Sequence, residues 1–379
     1  MKSRMQISIW NLLISVILLV FLIIPVIFIF HFDLQFYYIP KSEINKFYIY
    51  SGIYSTLGIL SALIIREALR NDQRSNISSS FRLVLGILWI VDGVLQFQPE
   101  MPYGFLSVVI LPAIQAIPFM NVEQFLMIGY NTWLLHPFQF DALSGALQIF
   151  IGSAFLLNSS QKGLRIISII SIVWDIIIWI FGEGFGGIPE VGVSLLTGFP
   201  GSALIYLFLA MPYVSKRFSD RSYLKNYMKY TLATILVIGA ILQLIPGNTF
   251  WNSGQLSFDI YMHINQQGEN PYVYFLLNHT YPLFLFRESY LNIFLSLLLI
   301  TAALVTFFNI RTGILISLLF IGLIWVLFQD MGIYIPPATD PNTSLPLLMF
   351  GLIFILISRK FRKMGKSNQG EDFSNLAGI

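Results

Sequence analysis

The sequence has no cysteine among its 379 residues, and charged residues make up only 11% of it. The first absence excludes disulfide bonds, thiolate metal ligands and cysteine nucleophiles. The second is unusual, because about 25% of the residues in a soluble globular domain are charged. Hydrophobic residues make up 56% of the chain. A soluble fold of this size cannot bury that much apolar surface, so the composition excludes a soluble enzyme and predicts an integral membrane protein.

Ten apolar runs separated by polar segments predict ten transmembrane helices, because about 20 mainly apolar residues are needed to cross a bilayer. The first run follows basic residues, but it is too long for a signal peptide and no small-residue cleavage site comes after it. The predicted fold class is therefore an all-α, polytopic integral membrane protein. Its spans are residues 7–30, 48–65, 83–98, 138–157, 164–182, 200–215, 230–246, 289–308, 312–328 and 344–358.

The distribution of lysine and arginine predicts the orientation, because cytoplasmic loops retain cationic side chains. With the N-terminus in the cytoplasm, 19 of the 22 basic residues lie on the cytoplasmic side, and only Lys41, Lys46 and Arg287 lie outside. We therefore expect a multi-pass protein of the cell membrane with both termini in the cytoplasm. Its long connections, residues 99–137 and 247–288, are expected outside. The basic face suits anionic lipid headgroups of the bilayer, and no nucleic-acid partner is predicted.

An internal duplication is predicted from landmarks that recur at nearly constant spacing. Because each copy holds four spans, the two copies are expected to share one orientation, related by a pseudo-twofold axis along the membrane normal. The matched landmarks are LQFQP at 95–99 with LQLIP at 242–246, Arg82 with Lys229, His136 with His279, Arg165 with Arg311, and Trp179 with Trp325. The predicted divisions are two N-terminal helices (1–81), repeat one (82–215), a linker (216–229), repeat two (230–358) and a cytoplasmic tail (359–379).

Three groups of motifs resemble those of a group of uncharacterised bacterial and archaeal integral membrane proteins. The motifs are LWIVDGVLQFQP at 88–99, WIFGEGFGG at 179–187 followed by GFPGSA at 198–203, and ATDPNT at 338–343. The four-helix unit is similar to the DoxX/DoxD superfamily, which includes the membrane subunit of a thiosulfate:quinone oxidoreductase. The resemblance implies a non-catalytic membrane subunit of a respiratory or redox assembly. Such a subunit would dock a quinone or an extracytoplasmic electron-transfer protein.

The second copy departs from the first at two acidic positions. Gly239 stands where the first copy has Asp92, and Gln329-Asp330 replaces Glu183-Gly184. Whatever Asp92 and Glu183 do, only one copy does it in that form.

Three carboxylates fall inside predicted spans, where an ionisable group is costly and is a candidate for function. They are Asp92, with Gln96 one helical turn away, Asp141 and Asp175. Either they line a proton or cation path, or they are protonated or hydrogen-bonded to neighbours and hold helices together. Glu183 lies in a glycine-rich segment that we expect to form a turn or the wall of a binding site.

Histidines and further acidic residues are predicted on the outer side. His136 and His279 are expected to face the cleft between the repeats, where an imidazole suits a quinone carbonyl, a haem iron or another metal. The alternative is that each ring bonds backbone within its own repeat. The other histidines are His31 and His263. The acidic residues expected to share one outer surface are Glu100, Glu183, Glu269, Asp330 and Asp340.

Three functions therefore remain open at this stage. The first is the DoxX-like membrane subunit that docks a quinone or a redox partner protein. The second is a transporter or channel for a small solute or cation, as the parallel duplication and the acids inside spans suggest. The third is an extracytoplasmic copper- or haem-handling protein that uses outer histidine and methionine. No complete catalytic site is evident in the sequence.

Overall fold

The structure is a computed structural model that describes residues 41–190, 192–246, 271–283, 288–332 and 337–358, with isolated positions between 250 and 285. Within these ranges the chain is helical, and it forms no β-strand beyond one isolated bridge between Arg74 and Ser160. The first predicted span, His31, His263, Glu269 and the predicted C-terminal tail lie outside the described residues.

Twelve helices follow one another along the described chain. They are α1 (Lys41–Ala68), α2 (Ser79–Leu95), α3 (Met101–Gln115), α4 (Met120–Leu135), α5 (Pro137–Leu157), α6 (Gln161–Gly182), α7 (Ser202–Val214), α8 (Arg221–Leu244), α9 (Pro271–Thr280), α10 (Glu288–Phe307), α11 (Arg311–Leu327) and α12 (Ser344–Ser358). Short 3₁₀ turns follow three of them, at Lys216–Ser219, Tyr281–Leu283 and Asp330–Gly332.

Each of the nine predicted spans within the described residues coincides with a helix. Five helices are long and apolar enough to cross a membrane, namely α1, α5, α6, α8 and α10. Helices α7, α11 and α12 are apolar but shorter. These findings support a helical, multi-pass membrane protein. The count of ten spans and the cytoplasmic placement of the termini stay predictions.

The described helices leave different functional groups at two ends of the bundle. At one end, Arg82 donates from Nη1 to the carbonyl of Asn158 (2.6 Å), and the Tyr213 hydroxyl donates to the carbonyl of Ser78 (3.1 Å). We call this the basic end. Ser78 and Ser160 cap helices α2 and α6 there, each accepting a hydrogen bond from a backbone N–H of the first turn. The opposite end holds Glu183 and Asp340, and we call it the carboxylate end.

Facing glycines bring helices α2 and α5 into close contact. A Cβ on Gly93 would lie 2.7 Å from the carbonyl oxygen of Gly145, and one on Gly152 would lie 2.7 Å from that of Gly86. In each pair the backbones approach too closely for a side chain. Small residues at helix interfaces are typical of membrane proteins, where packing replaces the hydrophobic effect as the main attraction between helices. Helix α1 packs on the same helix α5, with Gly58 beside Ala146 and Phe150.

Two polar contacts recur at positions that the predicted duplication makes equivalent. The indole of Trp179 donates to the carbonyl of Pro200 (2.9 Å), and that of Trp325 donates to the carbonyl of Pro341 (2.7 Å). Glu183 Oε1 accepts from the first turn of α7 at Ala203 N (3.0 Å), as Gln329 Oε1 accepts from Ser344 N (2.9 Å) at the start of α12. The duplication and its symmetry axis stay predictions.

We call the two predicted repeats, residues 82–215 and 230–358, the first and the second unit. The segment between α11 and α12 joins them at the carboxylate end. Gln98 is fully buried, and its amide donates to the carbonyl of Ala338 (2.7 Å) while its Oε1 accepts from Ala338 N (3.2 Å). Thr343 donates to the carbonyl of Gly198 (2.6 Å), and Gln329 donates to that of Leu195 (2.8 Å). Residues 338–343 of the second unit therefore lie directly on the first unit.

Replacing Gln98 with leucine is expected to lower the free energy of unfolding by about 1–3 kcal/mol, because both backbone groups of Ala338 would lose their partner. The matched control is Gln148→Leu. Gln148 is also buried, but its Oε1 has no partner among the described residues, so this change is expected to cost less. Thermal unfolding in detergent measures both. Equal losses would contradict a joining role for Gln98.

Candidate functional site

A cavity of about 310 Å³ lies among the helices of the first unit at the carboxylate end. Its walls come from α2, α3, α4, α5, α6 and α7, and one side is closed by Thr339 and Asp340 from the second unit. The lining is mainly apolar and aromatic, with Trp89, Trp133, Trp174, Phe105, Phe181, Tyr130 and Tyr206. The polar lining residues include Asp92, Gln96, Ser144, Gln148, Glu183, Ser202 and Asp340. A pocket with apolar walls and a few polar groups is typical of small-molecule sites.

Two π-helical segments contribute to this cavity. They are Phe105–Ile110 in the middle of α3 and Ile178–Gly182 at the end of α6. In the second, Glu183 N donates to the carbonyl of Ile178 (2.9 Å), a five-residue spacing that widens the last helical turn. Insertions of this kind occur frequently at functional sites. Here the π-helical turn directly precedes Glu183.

Glu183 lies half-buried against the N-terminus of α7. Its Oε1 accepts from the Ser202 hydroxyl (2.5 Å) and from Ala203 N (3.0 Å), where the helix dipole favours a negative charge. Its Oε2 has no partner among the described residues. A Cβ on Gly201 would lie 2.0 Å from Oε2, so a glycine is required for this approach. The backbone thus fixes the carboxyl group in place.

Asp340 lies next to Glu183, although it comes from the other unit. Its Oδ2 accepts from the Thr339 hydroxyl (2.9 Å) and its Oδ1 from Asn342 N (2.7 Å). The Ser202 hydroxyl lies between the two carboxyl groups. Burial and the neighbouring Asp340 raise the pKa of Glu183 to about 7, and burial raises the pKa of Asp340 as well. The pair therefore resists carrying two negative charges.

Asp92 is the third carboxyl group of the cavity. Its side chain is 3% exposed, and its Oδ1 has no hydrogen-bond partner among the described residues. The Tyr206 hydroxyl lies beside it, at a geometry that falls short of a well-formed hydrogen bond. The Tyr206 ring packs edge-on against Trp89, with ring centroids 5.1 Å apart.

The other two acids within spans lie outside the cavity and are hydrogen-bonded to neighbours. Asp141 Oδ1 accepts from the indole of Trp133 (2.9 Å), which ties α4 to α5. Ser171 accepts from the indole of Trp89 (3.0 Å) and donates to Asp175 Oδ2 (3.3 Å). Asp141 therefore matches the alternative in which carboxyl groups hold helices together, Asp175 bonds within its own helix, and Asp92 lines the cavity.

Five cavity-lining residues present buried polar atoms that have no partner in the described part of the chain. Buried polar groups are normally hydrogen-bonded, so each such atom needs an explanation. Two of them, Gln148 and Tyr206, are 4% and 1% exposed. The atoms are Asp92 Oδ1, Gln148 Oε1, Trp174 Nε1, Glu183 Oε2 and the Tyr206 hydroxyl oxygen. Their common position on one cavity indicates a site that a polar ligand completes.

A second, more polar recess of about 330 Å³ lies beyond the cavity. We call it the vestibule. It is lined by the segments 182–202 and 329–343, with Glu190, Thr197, Gln329 and Asn342 among its polar residues. Burial raises the pKa of Glu190 to about 7. The cavity and the vestibule share Gly182, Glu183, Ser202, Thr339 and Asp340, and these five residues form the wall between them.

The sequence candidates separate into two groups. Asp92, Gln96, Glu183 and Asp340 come together at the cavity. Glu183 and Asp340 were expected on an outer acidic surface. In the structure they lie in the wall between the cavity and the vestibule, where hydrogen bonds from hydroxyl and backbone N–H groups hold them, namely those of Ser202, Ala203, Thr339 and Asn342. Glu100 lies near Tyr48 and does not line the cavity. Of Asp330 only the backbone is described.

The two histidines do not join this site. His136 is exposed between α4 and α5, and lines a shallow depression with Tyr54 and Phe140. His279 is exposed, and its Nδ1 lies 2.7 Å from the carbonyl oxygen of Phe275 in its own helix. That contact fits the alternative of bonding within one repeat. The predicted meeting of the two imidazoles across the repeats stays a prediction.

Sequence reasoning missed Tyr206, Gln148, Ser202 and the tryptophans. Gln148 had a usable signal, since it is a polar residue inside an apolar span. Tyr206 and Trp174 are ordinary components of apolar helices, so nothing in the sequence separates them from lipid-facing aromatic residues.

Within the described residues, no group of three or more His, Asp or Glu side chains is placed to hold a metal ion. Comparison with protein-family models, with curated proteins and with solved structures finds no match to this chain. The DoxX-like resemblance therefore stays a prediction, and the functional argument depends on the cavity.

Proposed function

We propose that this protein binds a small solute in the cavity of its first unit and passes it across the membrane, as a transporter or channel does. The observation that carries the proposal is that five residues lining one cavity of a helical membrane protein have buried polar atoms without partners in the described part of the chain. Polar groups at this depth are costly unless they meet a partner or a solute. The vestibule supports solute binding, because it shares a wall with the cavity at the carboxylate end.

A second candidate is the redox subunit that docks a quinone. The Tyr206 hydroxyl and the Trp174 indole are donors without protein partners among the described residues, and donors of this kind suit quinone carbonyls. The aromatic walls would hold a ring. Under this proposal the protein is a non-catalytic subunit of the cell membrane, with its long connections outside and a redox protein as its partner.

The two candidates differ in whether the cavity opens to both sides of the membrane. Because the chain has no cysteine, a single introduced cysteine is the only thiol. Ser144 lines the cavity and is 5% exposed. We expect a Ser144→Cys variant in sealed vesicles to react with a membrane-impermeant methanethiosulfonate reagent in both vesicle orientations. Both a cationic and an anionic reagent are used, so that repulsion of one does not hide access.

Three control variants calibrate this experiment. Ser168→Cys should not react, because Ser168 is fully buried and does not line the cavity. Asn121→Cys is exposed at the carboxylate end and Ser159→Cys at the basic end, so each should react in one orientation only. Reaction of Ser144→Cys from the carboxylate end alone would contradict transport and favour the docking candidate. An unreactive Ser144→Cys would overturn both.

A further inference from the structure

We propose that the solute is an organic cation, a protonated amine or a quaternary ammonium group attached to a compact apolar body. This inference rests on the proposed function, since it names the class of solute that the same cavity accepts.

The charges that face the cavity are all of one sign. Asp92, Glu183 and Asp340 line it, and no lysine, arginine or histidine does so in the part of the chain that the structure describes. The vestibule repeats the pattern, since it adds Glu190 and again has no basic residue among its described lining. A path lined by one sign of charge concentrates solutes of the opposite sign.

The carboxyl groups are not neutralised by the protein. The ion pair between Arg70 and Glu67 is exposed and far along the chain from this site, and no basic side chain lines the cavity in the described part of the chain. The partners of Glu183 and Asp340 are hydroxyl groups and backbone N–H groups, which carry no full positive charge. Ionising a buried carboxyl group is costly unless a positive charge pairs with it. A cationic ligand supplies that positive charge.

The unpartnered atoms show where that charge would lie. Asp92 and Glu183 both line the cavity, and each has an oxygen without a partner among the described residues, Asp92 Oδ1 and Glu183 Oε2. Asp92 is more than nine-tenths buried, so its carboxyl group is directed into protein and cavity rather than bulk solvent. An ammonium group with several N–H donors can satisfy such oxygens, and a quaternary group can neutralise them by charge alone.

The aromatic walls select an organic ion over a bare inorganic one. Trp89, Trp133, Trp174 and Tyr206 all line the cavity, and the faces of indole and phenol rings attract cations. A Ca²⁺ or Mg²⁺ ion that has lost its water needs oxygen ligands on all sides, whereas most of this lining is hydrocarbon. The volume of about 310 Å³ lies at the lower end of the range for small-molecule sites, about 300–1,000 Å³.

Charge also separates this class from the alternatives. An anion would meet three carboxyl groups without a counter-charge. A neutral ring such as a quinone would leave the carboxyl groups unpaired, so it would bind only with them protonated. An organic cation satisfies the carboxyl groups and the aromatic walls together.

The test uses three probes that share one apolar body, namely phenylethylamine, phenylethanol and phenylacetate, with a short-chain quinone as the fourth. The readout is the rate at which trimethylammonium-ethyl and sulfonatoethyl methanethiosulfonate modify Ser144→Cys in the full-length protein. We expect the cationic reagent to react roughly tenfold or more faster than the anionic one, after correction for their intrinsic reactivities. Phenylethylamine should protect the cysteine, while phenylethanol and phenylacetate at the same concentration should not.

Variants of the acids assign the effect to named groups. In the Ser144→Cys background, Asp92→Asn and Glu183→Gln should each remove most of the charge preference and the protection by phenylethylamine. Asp175→Asn is the matched control, because Asp175 is an equally buried acid that does not line the cavity, and it should change neither. An unchanged melting temperature in each variant verifies folding. Glu183→Gln keeps an oxygen that can accept from Ala203 N, as the Gln329 side chain accepts from Ser344 N in the second unit.

The outcomes distinguish this inference from the function on which it rests. If Ser144→Cys reacts with both reagents at equal rates, the cavity admits solutes and the organic-cation inference is wrong. Protection by phenylethanol or by the quinone, with none by phenylethylamine, overturns it as well. If no reagent reaches the cysteine, the proposed function fails first.

Discussion

Replacing Gly186 with alanine is expected to be among the most destabilising single changes in the chain. The residue has a φ of +64°, and a Cβ there would lie 2.0 Å from the carbonyl oxygen of Pro200. That oxygen belongs to the backbone and also accepts the hydrogen bond from Trp179, so it cannot move without breaking a partly buried contact. Strain and the lost contact together predict a loss of about 3–5 kcal/mol in the free energy of unfolding.

The comparison for this prediction is Gly52→Ala. Gly52 lies in helix α1, is exposed, and has no atom within 4 Å of the Cβ it would gain. There the change should stabilise the helix by about 0.5–1 kcal/mol, because alanine loses less backbone entropy than glycine. Thermal unfolding in detergent measures both variants. A Gly186→Ala protein that unfolds at the wild-type temperature would show that segment 183–201 does not depend on this contact.

The second large effect is expected from exchanging the helix-capping residues of the two units. Burial raises the pKa of Glu183 from its usual 4.5 to about 7, so the folded state prefers the protonated carboxyl group. Its contribution to stability is fully present below the unfolded pKa and is lost as the pH rises through about 7. Glu183→Gln should therefore match the wild type near about pH 4 and be more stable near about pH 8, since the neutral amide still accepts from Ala203 N.

The reciprocal variant, Gln329→Glu, should lose stability relative to the wild type as the pH rises, whereas Glu183→Gln should gain. A carboxyl group would replace an amide that is 3% exposed and accepts from Ser344 N, so the protein should lose stability as the pH rises. Glu67→Gln is the control, because Glu67 is exposed and its stability effect should stay small at every pH. Melting temperatures across the pH series decide the matter. Parallel curves for Glu183→Gln and the wild type would contradict a protonated Glu183.

Hydropathy predicts where helices form but not where they begin. The span predicted at 48–65 belongs to a helix that starts at Lys41, because Lys41, Glu43 and Lys46 continue the helix beyond its apolar part. The connection 99–137, which was expected outside the membrane, contains α3 and α4. Their contribution to the cavity through Phe105, Tyr130 and Trp133 was not predicted, because periodicity describes one helix and not its neighbours.

The candidate site was predicted only in part, because the sequence pattern of one helix does not show which other helices it contacts. Asp92 and Gln96 were found because they stand one turn apart in a single span, and Glu183 because its glycine-rich surroundings interrupt the hydropathy pattern. Asp340 was assigned to an outer surface. Besides its local partners Thr339 and Asn342, it meets Ser202 and Glu183 of the first predicted repeat, and a contact across more than a hundred residues leaves no mark in local sequence.

The position of residues 338–343 gives the two predicted repeats unequal roles at the cavity. The first unit holds the cavity, but Thr339 and Asp340 of the second unit close it, and Gln98 fixes them there. The connection between the units, Ser215 to Arg221, runs at the basic end, away from that closure. A chain ending before α8 would keep Asp92 and Glu183 yet leave their cavity open on one side. The second unit, without an acid at Gly239 or Gln329, is thereby free to act as a partner to the site rather than as a second copy of it.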